Sequence, residues 1–336
     1  MNEATSRTTK QAPAPGSPVS TAARPAQSAP APRKRSARRR EINSIHPVTE
    51  FLLHLFFLLI AVACIFPVLV VLGVSLTDQD TIYLHGYNII PRVFSWSAYE
   101  YLLRDWRPIA DAYMISIFVT VVGTIIALTV TALVAYPLSR QDFAFRNFFS
   151  FFVFFTMIFG GGLVPWYLVY TNFIDIRDTL WALIVPNHLL SAFYVIIMRT
   201  FFTTSIHPSI LESAKIDGAS ELRIFTRIVI PLSLPVLATI GLFYTLSYWN
   251  DWFNSLVFMN NDKLINLQYM MYKAMRNLQY LNNFAALGGF GDQTAKLPSE
   301  TARMAMAIIG MGPIVLAYPF FQKYFVKGLT VGAVKG

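Results

Sequence analysis

Long apolar runs alternate with short polar ones along this chain, and the runs are long enough to cross a membrane. A helix spanning a bilayer needs about 20 apolar residues, and six stretches meet that length. The first covers about 51–77 and carries only His54 as a potential charge. The second, "AYMISIFVTVVGTIIALTVTALVAYPLS" from Ala112, has no charge at all. The third runs from about Asn147 to Thr171, the fourth from Leu180 to Met198, the fifth from Ile228 to about Met259 and the sixth from Met304 to Phe321. Pro and Gly inside several of them are tolerable because neighbouring helices can satisfy freed backbone groups. The predicted fold class is an all-α integral membrane protein with six transmembrane helices over 51–325, and 326–336 forms a tail.

Composition supports this. The 336 residues are 55% hydrophobic and 13% charged, about half the charge of a soluble domain. So little polar surface cannot cover a globule in water. The lone Cys64, set in an apolar run, excludes an intramolecular disulfide and is expected to be a packing residue.

Residues 1–50 differ from the rest. "QAPAPGSPVSTAARPAQSAPAP" cannot build a core and is expected to be disordered. The "RKRSARRR" that follows, Arg33 to Arg40, suits a basic flank touching anionic headgroups. Nucleic acid is not an expected partner, since neither aromatic interleaving nor a binding fold accompanies the charge. A cleaved signal peptide is not expected either, because the basic region and the apolar run are both too long. With the N-terminus inside, the inner segments hold 18 of the 27 Lys and Arg residues. That excess predicts that both termini are cytoplasmic.

On this topology a polar stretch, "ESAKIDGASELRIF" (Glu212–Phe225), lies in the cytoplasm between spans four and five. Ser209 and Glu212 fit an S-x-x-E capping box, which predicts a short helix to about Ile216. Gly218 supplies a left-handed stop, and Ser220 can cap a second helix that continues until Pro231 and Pro235. Ser213, Ala214 and Ala219 keep the corner small, while Leu211, Ile216, Leu222, Ile224 and Phe225 give an apolar side. Such a hairpin suits either a membrane surface or a protein partner.

"E-S-A-K-I-D-G-A", followed by Ile228-Val229-Ile230-Pro231, resembles the EAA signature of permease subunits in binding-protein-dependent ABC importers. Glu212, Ala214, Asp217, Gly218, Ile228 and Pro231 match it; Ser213 for Ala and Ile230 for Leu depart mildly. "LVPWYLVYTNFIDIRDTLWALIVP", "IMRTFF", "YWNDWFN" and "FFQKYFVKGLTVGAVKG" are similar to carbohydrate-uptake permeases. Their likeness is to the inner maltose-type subunit, within a branch associated with uronate-containing oligosaccharides. It covers residue 50 to the end.

The resemblance implies a bacterial inner-membrane protein paired with a second permease subunit, two ATP-binding cassette subunits and an extracytoplasmic sugar-binding protein. It implies an EAA hairpin, 208–231, seated in a cleft of the ATPase: Glu212 near a basic edge, Asp217 holding the hairpin's shape, Gly218 making the turn. It also implies an outer loop, 260–303, that reaches the binding protein through "GGFGD" (Gly288–Asp292). "GLTVGAVKG" would insert, extended, between the ATPase copies. The chain itself has no G-x-x-x-x-G-K-[ST] phosphate loop; Gly160–Gly162 precede no Lys and are expected to give flexibility or close packing in span three. No cofactor is expected on this chain, ATP and Mg being the partner's, and no catalytic or metal residues are assigned.

"SYWNDWFNSLVFM" in span five carries the candidate pathway residues Trp249, Asn250, Asp251, Trp252 and Asn254. Aromatic faces match sugar rings, and Asn and Asp can bond hydroxyls. Spacings of three (the tryptophans) and four (the asparagines) put each pair on one helix side. The competing reading is an outer aromatic belt with Asp251 reaching water. His188, after Pro186 and Asn187, has no second His or Cys at ligand spacing, so a packing role is expected. Three rival functions stay open on sequence alone, one of them a structural or scaffold membrane protein, which leaves the hairpin unexplained. A secondary, ion-coupled transporter would need buried acids or a His relay along the spans, and a membrane-embedded enzyme would need paired carboxylates or a metal cluster.

Overall fold

The computed structural model describes residues 46–286 and 299–333. The chain divides into two compact units after Phe57. In the first, the described residues 46–57 open helix α1 (Pro47–Ser75); the rest of α1 and all later helices belong to the second. Every described element is helical, apart from one isolated bridge between Thr77 and Phe94.

Helix α4 (Trp106–Ser139) is the axis of the second unit and begins before the expected Ala112. It packs against α8 (Ala192–Ser205) and α12 (Leu234–Trp249). Small residues on α4 (Ala127, Ala132 and Ala135, all buried) let these helices approach closely. Val195, Met198, Phe202, Ile240 and Tyr244 fill the seam. At Gly123 the approach is tightest, since a Cβ there would lie 2.7 Å from the Tyr248 ring.

Between α1 and α4 come α2 (Gln79–His85), capped by the Asp78 carboxylate, and α3 (Ser97–Leu103). Gly73 lets the intervening segment lie against α1: a Cβ there would meet the Ile89 carbonyl oxygen at 2.0 Å.

Among the described residues, α1 and α4 are each long and apolar enough to cross a membrane alone. Two bent pairs bring the number to four if each counts as one span. The predicted third span is one of them: α5 (Arg146–Ile158) turns 116° into α6 (Leu163–Leu168) and a π-helical turn, Val169–Phe173. Gly160–Gly162 make that bend, with Gly162 at φ +83°. Among the described residues no atom lies within 4 Å of a Cβ at Gly160 or Gly162.

The predicted fifth span, from Ile228, falls in the other pair. α10 (Glu221–Ile224), a π turn (Phe225–Val229) and α11 (Ile230–Leu232) meet α12 at 81°, where Pro231 and Pro235 flank the buried Ser233. The fourth is also interrupted: α7 (Trp181–Ile184) and α8 are separated by a turn in which Asn187 takes φ +65°.

Two further expectations change. Much of the predicted outer loop is helix α14 (Leu267–Ala286). Leu267, Met271 and Leu278 are buried there against Ala302 and Met306 of α15 (Ser299–Ala333), a helical periodicity that the loop assignment overlooked. Gly288–Asp292 fall outside the described residues. At the other end α15 is helical to Ala333, so Gly328–Ala333 do not take an extended path.

Candidate functional site: a hairpin, two facing breaks and a cavity

The polar stretch folds as a helix–turn–helix. Helix α9 (Pro208–Ile216) starts earlier than expected because Pro208 occupies its first turn, where a missing N–H costs nothing. Ser209 is therefore inside the helix and makes no capping box with Glu212. His207 is the cap, its Nδ1 accepting from the Ser209 amide at 3.4 Å and meeting the Ser209 hydroxyl at 2.8 Å. Gly218 turns the chain at φ +77° and donates to the Lys215 carbonyl at 3.0 Å. Ser220 precedes α10 as expected, without a side-chain capping bond.

The hairpin's apolar residues divide in two. Ala214, Ile224 and Phe225 are buried, and Leu211 and Ala219 pack on the same core. Ile216 and Leu222 stand 86% and 68% exposed at the tip, beside exposed Glu212, Ser213, Asp217 and Gly218. Pro231 belongs to α11, at the root.

A charge cluster missed in the sequence ties the hairpin to the end of α4. Lys215 Nζ lies 2.7 Å from Asp142 Oδ2 and 2.9 Å from Glu221 Oε1. Arg140 forks onto Asp142 at 2.9 and 3.1 Å, and Tyr136 Oη donates to Glu221 at 2.7 Å. Hydrogen bonds from Arg140 and Lys215 hold the Asp142 carboxyl well below the usual carboxylate range. Lys215 and then Tyr136 lower that of Glu221, and the two acids raise the Lys215 ammonium. Only the "RQD" beside span two offered a sequence signal; the fold supplies the rest.

The span-five candidates do not share helix sides, because α12 ends at Trp249 and α13 (Phe253–Phe258) starts afresh. Asp251 lies in the break, and its Oδ1 accepts from the Phe253 and Asn254 amides at 3.0 and 3.2 Å, satisfying the first amides of α13. Its side chain is buried rather than in water, with Oδ2 3.6 Å from His188 Nε2. Asn254, fully buried, donates to the Pro186 carbonyl at 3.0 Å and accepts from Asn187 Nδ2 at 3.3 Å. Two interrupted helical stretches thus meet through polar side chains. Asn266 locks the same point: its side chain donates to the Asp251 carbonyl and accepts from the Tyr269 amide to cap α14.

Trp249 points away into the second apolar cluster, donating to the Gly310 carbonyl at 3.0 Å. Trp252 is half-exposed and stacks on Tyr272 with ring centres 4.8 Å apart. Those two rings, Asn250, Gln268 and Arg303 line a cavity of about 450 Å³ between the end of α12, α14 and α15.

Residues 34–331 match the family described as binding-protein-dependent transport system inner membrane component. The chain is 36% identical over 287 residues to the polygalacturonan/rhamnogalacturonan transport system permease protein YtcP of Bacillus subtilis, covering 85% of this chain and 98% of that one. It is 37% identical over 272 residues to the protein LplC of the same organism (81% and 90% covered). A solved bacterial ABC transporter involved in the import of the acidic polysaccharide alginate contains a chain that superposes with a TM-score of 0.69 at 27% identity. The match covers 83% of this chain and 97% of that one.

Proposed function

Since the chain belongs to the binding-protein-dependent transport inner membrane component family, the permease subunits of ABC importers, we propose that it forms part of the path for an acidic oligosaccharide. One relative is the permease of a polygalacturonan/rhamnogalacturonan transport system, and the structural neighbour belongs to a transporter involved in the import of alginate. In this reading the chain crosses the bacterial inner membrane six times with both termini inside. α1, α4, the bent α5–α6 pair, α7–α8, the bent pair ending in α12 and α15 are the crossings. It pairs with a second permease subunit, two ATPase subunits and an extracytoplasmic binding protein, and has no catalytic role or cofactor of its own.

The hairpin carries the proposal. Its tip presents Glu212, Ser213, Ile216, Asp217, Gly218 and Leu222 to solvent, while Ala214, Ala219, Ile224 and Phe225 root it in the core. A projection exposed at the tip and anchored at the base can receive a push from a soluble ATPase and pass it to α4 and, through Pro231, to α12. The facing breaks at Pro186–His188 and Asn250–Trp252 are the proposed moving part of the path, with Trp249, Asn250, Asp251, Trp252 and Asn254 beside it. Ion coupling by the His188–Asp251 pair is the second reading. It requires uptake that collapses with the proton gradient while ATP is held constant.

Gly218→Pro tests the first reading. Proline cannot reach φ +77° and removes the amide bonded to Lys215. Uptake of labelled trigalacturonate by cells should vanish, with the protein still inserted, and Glu212→Lys should do the same from the exposed face. Wild-type uptake in either variant refutes the coupling role.

A further inference from the structure

We infer that the cavity between α12, α14 and α15 is a subsite for a single uronate residue, with Arg303 holding its carboxylate and Trp252 and Tyr272 its ring face. This rests on the proposed transport of acidic oligosaccharides and adds to it a place of contact on this chain. At about 450 Å³ the cavity falls within the usual size of small-molecule sites, roughly 300–1,000 Å³. Among the described residues Arg303 is the one ionised side chain lining it, so an anionic ligand is favoured over a neutral or cationic one.

Its guanidinium is incompletely used. Nη1 reaches Glu300 Oε2 at 3.3 Å, and that same oxygen accepts from Tyr87 Oη at 3.2 Å. The buried Nε has no hydrogen-bond partner among the described residues. A planar fork with spare donors suits two carboxylate oxygens at once. The aromatic pair forms an apolar wall of the cavity, and Gln268 and Asn250 bring amides for ring hydroxyls. Asp251, which would repel an acid, is not among the lining residues; its oxygens face the α13 amides and His188.

The test is calorimetric titration of the whole importer complex in nanodiscs, without binding protein, using trigalacturonate and its carboxyl-reduced neutral counterpart. Wild type should bind the acid at least tenfold more tightly than the neutral trimer. Arg303→Gln should bring the two to parity without changing the neutral affinity. Arg303→Lys, which keeps the charge but loses the fork, should fall between. Equal affinities in wild type, no measurable binding of either trimer, or equal losses of both in Arg303→Gln would overturn the subsite. Uptake of trigalacturonate by cells with and without this gene is a separate readout. Uptake that depends on the gene but not on Arg303 removes the subsite and leaves the importer reading standing. Uptake that persists without the gene removes both.

Discussion

Asp251 holds two amides and faces one histidine, and its neighbours sort its charge from its shape. Asparagine at 251 keeps an oxygen for the Phe253 and Asn254 amides; leucine keeps neither bond. Losing a partner for a buried donor costs about 1–3 kcal/mol. Asp251→Leu should therefore lower the melting midpoint of the detergent-solubilised complex clearly, and Asp251→Asn much less. Asn254→Leu belongs with the severe case, since it deserts the Pro186 carbonyl and the Asn187 amide inside a fully buried site. Equal midpoints for Asp251→Leu and Asp251→Asn would show that capping is not what this residue does.

At the scale of helices, two glycines decide how closely elements pack. Gly73→Ala places a methyl 2.0 Å from the Ile89 carbonyl oxygen, and backbone cannot swing aside as a side-chain tip can. Gly123→Ala presses on the Tyr248 ring, which is pinned by its hydroxyl on the Ile184 carbonyl at 2.9 Å. Both should reduce the amount of folded complex recovered, Gly73→Ala more; fluorescence-detected gel filtration would measure this. Wild-type yield from Gly73→Ala would contradict the packing of Asn88 and Ile89 on Gly73.

The same contacts explain what the sequence conveyed. Apolar length marked α1 and α4 plainly, and Gly218 marked the hairpin turn. Gly160–Gly162 and Pro231–Pro235 marked where two spans give way, but the size and direction of the bends were hidden, because a hydropathy run does not record direction. α14 does carry a signal in its amphipathic pattern and in Asn266, which caps it, although its position between two apolar runs suggests a loop. Asp251 stood between a pathway role and an outer belt reaching water, because spacing along one helix does not reveal the break between α12 and α13. The Lys215 cluster joins residues about eighty apart, which no spacing rule reaches.

That cluster makes its claim at the scale of the whole molecule. Lys215, Asp142 and Glu221 are half-exposed and only Arg140 is largely covered, and such ion pairs contribute little stability, about 0–1 kcal/mol each. Their proposed role is direction: they fasten α9 and α10 to the end of α4, so that a push on the tip moves the long central helix. Lys215→Glu would set three carboxylates against Arg140 and should leave a folded complex whose ATPase no longer responds to binding protein. Adding Glu221→Lys restores an opposite-charge pair across the hairpin and should recover part of the response. Acid provides an independent check. The Asp142 and Glu221 carboxyls titrate below their unfolded values, so what they contribute is complete above about pH 4–5 and fades as pH falls through the lowered range. Lys215, raised, keeps its charge through neutral pH and loses it only above its ordinary range. Stimulation should thus be insensitive to this cluster's titration between about pH 5 and 9, and molar salt should weaken it by screening the exposed pairs. If Lys215→Glu responds to binding protein as wild type does, the hairpin moves α4 through its buried Ala214, Ile224 and Phe225 contacts alone, and the cluster is surface charge without a mechanical part.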